Sequence, residues 1–268
     1  MSVGFGHHFL RDLPSGAHGM NRGKYVLGDF VARLLAVVER PRLGDGTRVL
    51  MYHAIGERVP NMDLDLYSMS ATRFADQVQA IVEFARSTGT RFVPFGGVPT
   101  PGIAVTFDDG YRSFVDVAVP VLSEHKVPVH VFVGTEHLAS DPSLHMSPAQ
   151  VRDVASLPGV TVGAHGYRHV PLMTLSDDEL RGELTVARRS LEEVLGRSVD
   201  TMSYPHGAHD DRVHRSVAAA GYVAAACSDA GTFVSSEQKL RIPRIDLWAL
   251  DSPATVRRKV LGAWDRLL

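Results

Sequence analysis

The chain has 268 residues, 44% of them hydrophobic, with 28 basic against 30 acidic side chains and a formal net charge of -2. That is enough apolar content for one sizeable core or two small ones, and the balanced charge excludes a basic footprint for nucleic acid or an anionic membrane. The one cysteine, Cys227, cannot form an intrachain disulfide.

The first residues, Met1 to Gly19, lack the basic start and continuous apolar stretch of a secretory signal. Residues 1–23 are expected to form a flexible leader to a single domain over 24–268, in a cytoplasmic protein. Leu27 to Val38 is an amphipathic helix interrupted by Asp29 and Arg33, too short and too charged to span a bilayer. Arg48 to His53 is the first strand. Thr72 to Ala85 carries Phe74, Val78, Ile81 and Phe84 at helical spacing.

Gly102 to Phe107 is the next strand, and it ends in Asp108-Asp109-Gly110. Val115 to Leu122 is helical, with Pro120 expected to end or kink it. Pro128 to Val133 is nearly all apolar, as a parallel strand covered on both faces should be. Ser147 to Ala155 is a helix with Pro148 in its first turn, and Val160 to Ala164 is a strand. Ser176 to Gly196 is the best-marked helix: Ser176 and Glu179 form a capping box, Leu180, Leu184, Ala187, Leu191 and Val194 make one stripe, and Gly196 closes it. Then follow a strand over Val199 to Tyr204, a helix over Asp210 to Ala220, strands over Tyr222 to Cys227 and Leu240 to Ile245, and a helix from Pro253 to Leu268. This β-then-α alternation predicts an α/β fold: parallel strands with outer helices, closed or nearly closed as a distorted (β/α)7-type barrel.

In such a barrel chemistry sits where strands end, and the polar clusters fall there: His53, Asp108-Asp109, His165, Tyr204-Pro205-His206 and Arg244-Ile245-Asp246. Paired acids after a strand can supply a metal ligand and a general base side by side, although Asp-Asp-Gly alone also suits an ordinary turn. His165 and His169, four apart across a short loop, can turn both imidazoles to one point. With a carboxylate they suit zinc or a similar divalent metal and leave positions open for water and substrate. The Pro205-His206-Gly207 turn could aim a backbone N–H into the site or be a plain strand-to-helix turn. His206 and His209 read as solvent-facing, Cys227 as a buried core thiol, and His53 as a supporting or structural residue.

Taken in order, three motifs resemble the polysaccharide deacetylase family, also known as the NodB-homology domain or carbohydrate esterase family 4. They are Thr106-Phe107-Asp108-Asp109-Gly110, His165-Gly166-Tyr167-Arg168-His169 and Ser203-Tyr204-Pro205-His206-Gly207, flanked by Leu50-Met51-Tyr52-His53-Ala54-Ile55 and Ile242-Pro243-Arg244-Ile245. The resemblance implies a metal-dependent hydrolase that removes an N-acetyl group from an amino sugar in a glycan or glycan precursor. It implies Asp108 as general base, Asp109, His165 and His169 as ligands of a divalent metal, zinc by preference, and the Tyr204 backbone N–H as oxyanion donor. The partner it implies is an N-acetylated saccharide.

Three departures stand out. Gly166 occupies a position where the family usually has a hydroxyl that could brace the metal loop. The arginine that orients the base is missing from the third motif, so Arg244 is assigned that role, with an ion pair to Asp246 as the alternative. The family's late histidine is replaced by Leu247-Trp248-Ala249-Leu250, leaving His206, also a candidate substrate contact, or water to protonate the leaving amine. Two other readings use the same fold: a deformylase or cyclic imide or ureide amidohydrolase, and a degenerate barrel that binds glycans without cleaving them.

Overall fold

The computed structural model describes residues 22–38, 43–56, 66–140, 143–265 and 267. Most of the expected leader, residues 1–21, lies outside these; Arg22 and Gly23 already belong to the first helix, α1 (Arg22–Val38). Among the described residues no helix is long and apolar enough to cross a membrane.

Seven parallel strands form one curled sheet. In chain order they are β1 (Thr47–Tyr52), β4 (Gly102–Phe107), β5 (Val129–Val133), β6 (Val160–Ala164), β7 (Thr201–Ser203), β8 (Ala224–Ala226) and β9 (Ile245–Asp246), and in space they run β8-β7-β6-β5-β4-β1-β9. Two short strands that the sequence pattern did not mark, β2 (Ala54–Ile55) and β3 (Ser68–Met69), pair beside the end of β1. The helices α2 (Ala71–Thr88), α3 (Val119–Glu124), α4 (His137–Ser140), α5 (Pro148–Ala155), α6 (Asp177–Leu195), α7 (Asp211–Ala219) and α8 (Pro253–Val260) complete the fold. This is the expected distorted (β/α)7 barrel.

Alternation along each strand sorts side chains between two apolar clusters. Leu50, Tyr52, Ile103, Val105, Val131 and Ala225 pack outward under the helices. Val49, Ala104, Phe132, Ala224 and Ala226 pack inward with Phe95, Phe233 and Ile242. Continuing the inner register of β4 from Ala104 by twos brings Thr106 and then Asp108 onto the barrel axis. The inner register of β6 passes through Gly163 to His165. A Cβ on Gly163 would lie 2.7 Å from His130 Nε2 and 2.7 Å from Thr201 Oγ1, so only glycine lets β5, β6 and β7 draw this close.

Three local expectations change. Pro120 does not stop its helix: a π-helical turn, Phe114–Ala118, runs directly into α3, where Pro120 sits in the first turn and needs no N–H partner. Leu240 to Ile245 is not one strand. Ile242 bridges to Ala226 of β8, whereas Ile245 and Asp246 pair with Leu50 and Met51 of β1. Pro243, without an N–H, lies between the two pairings, and the crossing from β8 to β1 spans the gap in the barrel wall. The capping boxes at Ser147–Gln150 and Ser176–Glu179 both form, and Gly196 ends α6 at φ 64°.

The last helix is held by a buried lysine. Lys259, 0% exposed on its side chain, pairs with Asp251 at 2.7 Å, donates to the carbonyl of Asp246 at 2.8 Å and lies 3.6 Å above the ring of Trp248. Removing one partner of a buried pair leaves the other charged and unpaired. Lys259→Ala is therefore expected to lower the unfolding free energy by about 3–5 kcal/mol in a urea titration; a change below 1 kcal/mol, on the order of an exposed pair, would show that Asp251 finds another partner.

Candidate active site

Asp108 and Arg244 form a buried ion pair at the C-terminal end of the barrel. Arg244 Nη1 donates to Asp108 Oδ1 at 2.7 Å and Nη2 to Oδ2 at 2.8 Å. The two side chains are 0% and 4% exposed. The guanidinium is itself fastened: Nε donates to the carbonyl of Cys227 at 2.9 Å and Nη1 reaches Thr106 Oγ1 at 3.3 Å. Burial alone would push the Asp108 carboxyl up, but Arg244, and after it His165, outweigh burial and hold it below the ordinary carboxylate range.

Asp109 turns away from the inner register because its φ is 70°, followed by Gly110 at 69°. This twist swings its carboxylate toward the loop after β6. Its Oδ1 lies 3.3 Å from His165 Nε2 and 3.1 Å from His169 Nε2, and the two imidazole nitrogens are 3.1 Å apart. A tetrahedral zinc bound at about 2.0–2.1 Å by nitrogen and oxygen sets neighbouring ligand atoms roughly 3.3 Å apart. The triangle thus fits a zinc-sized divalent cation. Burial raises the Asp109 carboxyl, yet bonds to His165 and His169 hold it well below the usual range.

The ring of His165 is oriented from behind. Its Nδ1 lies 3.0 Å from the Ser203 carbonyl and 2.6 Å from Ser203 Oγ. A carbonyl only accepts, so Nδ1 carries the proton and Nε2 presents its lone pair to the triangle. Glu183, on α6 and 3% exposed, braces the loop that carries both histidines. Its Oε1 accepts from the backbone N–H of Tyr167 at 2.8 Å and from that of Arg168, and Oε2 accepts from Arg168 Nε at 2.9 Å. This carboxylate, rather than a hydroxyl at residue 166, steadies the loop. Gly166 sits at φ 71°, where a Cβ would meet Pro205 Cγ at 3.0 Å and Glu183 Oε1 at 3.3 Å.

Comparison with known proteins agrees with this geometry. Residues 96–225 match the family model described as polysaccharide deacetylase. This region of the chain resembles the polysaccharide deacetylase family. The Bacillus subtilis protein YxkH is 22% identical over 125 residues, covering 45% of this chain and 42% of its own length. Chitin deacetylase 1 of Cryptococcus neoformans var. grubii is 27% identical over 115 residues, covering 43% of this chain and 23% of its own. The chain therefore spans less than half the length of these curated relatives. The Streptococcus pyogenes deacetylase PplD, solved in complex with acetate, shares the fold with a TM-score of 0.69 at 21% identity, over 80% of this chain and 98% of that one.

Within this site the structure brings Asp108, Asp109, His165, His169 and Arg244 together. Arg244 pairs with Asp108, not with Asp246; among the described residues no hydrogen bond reaches the buried Asp246 Oδ1. Tyr204 differs from expectation. Its backbone N–H donates to the Ala226 carbonyl at 3.0 Å, because β7 continues its ladder with β8 through that residue, so this donor does not point into the site. His206 is not solvent-facing. It holds φ 59° and places Nε2 3.2 Å from the His169 carbonyl, with the two rings 4.6 Å apart. His209 is likewise drawn inward, 3.1 Å from Asp229.

His53 gains weight from the sheet register. Tyr52 pairs with Phe107, so His53 follows β1 as Asp108 follows β4 on the neighbouring strand. His53 is half-buried against the ring of Tyr67 at 4.8 Å and acts electrostatically on both Asp108 and Asp246. Pairing register, invisible in a single strand's pattern, was the missing signal. Glu183 gave none at all, since it reads as one more polar residue on α6.

Glu183→Ala should leave the Tyr167 and Arg168 N–H groups without their acceptor. The amides of these two residues should exchange with deuterium faster, while those of β6 keep their protection. Unchanged exchange at both positions would mean that Glu183 does not hold the loop.

Proposed function

We propose that the chain is a metal-dependent hydrolase that cleaves the N-acetyl amide of an amino sugar and releases acetate. The observation that carries this reading is a buried carboxylate, Asp108, locked by Arg244 beside an open triangle of Asp109, His165 and His169. The match of residues 96–225 to the polysaccharide deacetylase model supports the substrate class. Asp109, His165 and His169 would hold the metal, and the nitrogen and oxygen donors suit zinc. When bound, such a metal polarises an amide carbonyl and acidifies a water.

The remaining work falls to the chain's own residues. Asp108 is kept ionised by Arg244 and acts as general base, taking a proton from the attacking water. Arg244 also fixes the direction of that carboxylate, so its lone pairs are aimed before substrate arrives. His53, at the next strand end, gives a proton to the departing sugar nitrogen. His206, packed on His169, borders the substrate side of the metal loop.

The test is acyl release from N-acetylated and N-formylated amino sugars and their oligomers, with and without chelator. Chelator-sensitive acetate release is expected. Formate release alone would move the chain to deformylation, and glycan binding without release would make it a degenerate barrel. Asp108→Asn should keep its metal and lose about 10²–10⁴-fold in turnover, the usual worth of a general base; near-normal acetate release would hand the role to another group. His165→Ala should lower the bound zinc by one equivalent per chain, and undiminished zinc would overturn the ligand assignment.

A further inference from the structure

A second cluster of ligand atoms lies at the adjoining strand end, after β8. One atom each from His209, Cys227 and Asp229 falls within 4.8 Å of the others. His209 Nε2 is 3.1 Å from Asp229 Oδ2. Cys227 Sγ, 1% exposed, lies 3.4 Å from the Ile242 carbonyl. The Asp229 side chain is 52% exposed, which leaves a path from solvent. Behind His209, His214 Nε2 sits 3.0 Å from His209 Nδ1, and the ring of Tyr204 packs on both imidazoles.

We propose that His209, Cys227 and Asp229 form a second metal site, distinct from the Asp109 triangle, that takes a borderline-soft divalent cation such as zinc. Thiolate, imidazole and carboxylate are the donor types that such a cation combines, and the observed nitrogen–oxygen separation matches a tetrahedral edge of roughly 3.3 Å. His214 supplies the orienting contact that metal-bound histidines use. His214 Nε2, 3.0 Å from His209 Nδ1, is placed to accept the Nδ1 proton and leave His209 Nε2 for the cation. Binding releases the protons of Sγ and Nε2 to solvent.

The site touches the first one through the backbone. Arg244 Nε donates to the carbonyl of Cys227 at 2.9 Å, and its N–H donates to that of Asp229 at 3.0 Å. A cation on these two side chains stiffens the segment that holds Arg244, and through it Asp108. This coupling rests on the deacetylase reading; the binding itself does not.

The test strips the full chain with chelator and titrates it with cobalt(II). The Asp109 triangle contains no sulfur, so a sulfur-to-cobalt charge-transfer absorption reports only the proposed site. The band is expected in the parent chain and in His165→Ala, and absent in Cys227→Ser. Because Cys227 is buried, two outer variants guard against a folding defect. Asp229→Asn should weaken the cobalt affinity read at this band about tenfold or more, and His214→Ala by about 10–100-fold, as outer-shell partners do. No band in His165→Ala at saturating cobalt, or an unshifted titration in Asp229→Asn, would overturn the proposal. A chain that shows the band and releases no acyl group would keep this site and lose the deacetylase reading.

Discussion

The buried pair of Arg244 and Asp108 is the contact on which the rest depends. A carboxylate taken out of water is costly unless a charged donor meets it squarely, and here two short bonds do so from residues 136 positions apart. Arg244 can reach Asp108 only because of how the barrel closes. The chain leaves its pairing with β8 at Ile242, turns through Pro243 and joins β1 at Ile245. The guanidinium therefore stands in the seam of the wall, anchored on the Cys227 carbonyl and packed 5.7 Å from the centre of the Phe132 ring. Closing the barrel and pairing Asp108 with Arg244 are one structural event.

The second constraint is backbone conformation. Asp109, His169 and His206 all hold positive φ without being glycine, a conformation with an energetic cost that persists only where surroundings enforce it. At Asp109 the result is separation of neighbouring acids: Asp108 keeps the inner register and meets Arg244, while Asp109 swings to the histidines. Glu183 and Ser203 hold the other side, one gripping the loop backbone and the other the His165 ring. Two adjacent carboxylates thereby acquire different partners and can perform different tasks.

Much of this was legible in the sequence because it is local or periodic. Strand alternation, the Ser176–Glu179 cap and the Asp108-Asp109 and His165/His169 spacings each follow from short-range rules. What could not be read depends on pairing across the chain. Register made His53 a neighbour of Asp108. The continuation of the β7–β8 ladder took up the Tyr204 N–H. The split of Leu240 to Ile245 between two strands came from barrel closure around a proline. Glu183 replaced a missing hydroxyl from a helix nearly twenty residues on, and the packing of α7 against the end of β7 assembled His209, His214 and Cys227. Where the motif had lost its usual arginine, Arg244 could be paired with Asp108 over Asp246 only once both carboxylates had been placed.

The central claim is that Arg244 keeps Asp108 ionised and ready as the base. Its most direct measurement is the pH dependence of acetate release, kcat against pH, for the parent chain and for Arg244→Gln. With the guanidinium present, Asp108 titrates below the ordinary carboxylate range, so activity is present above that pKa and fails only as pH falls through it. Without the guanidinium, burial acts unopposed and raises the carboxyl. The account predicts that the acidic limb of the profile moves to higher pH and that the plateau falls. A reduced plateau with the acidic limb unmoved would contradict it, because Arg244 would then support the fold without governing the charge on Asp108.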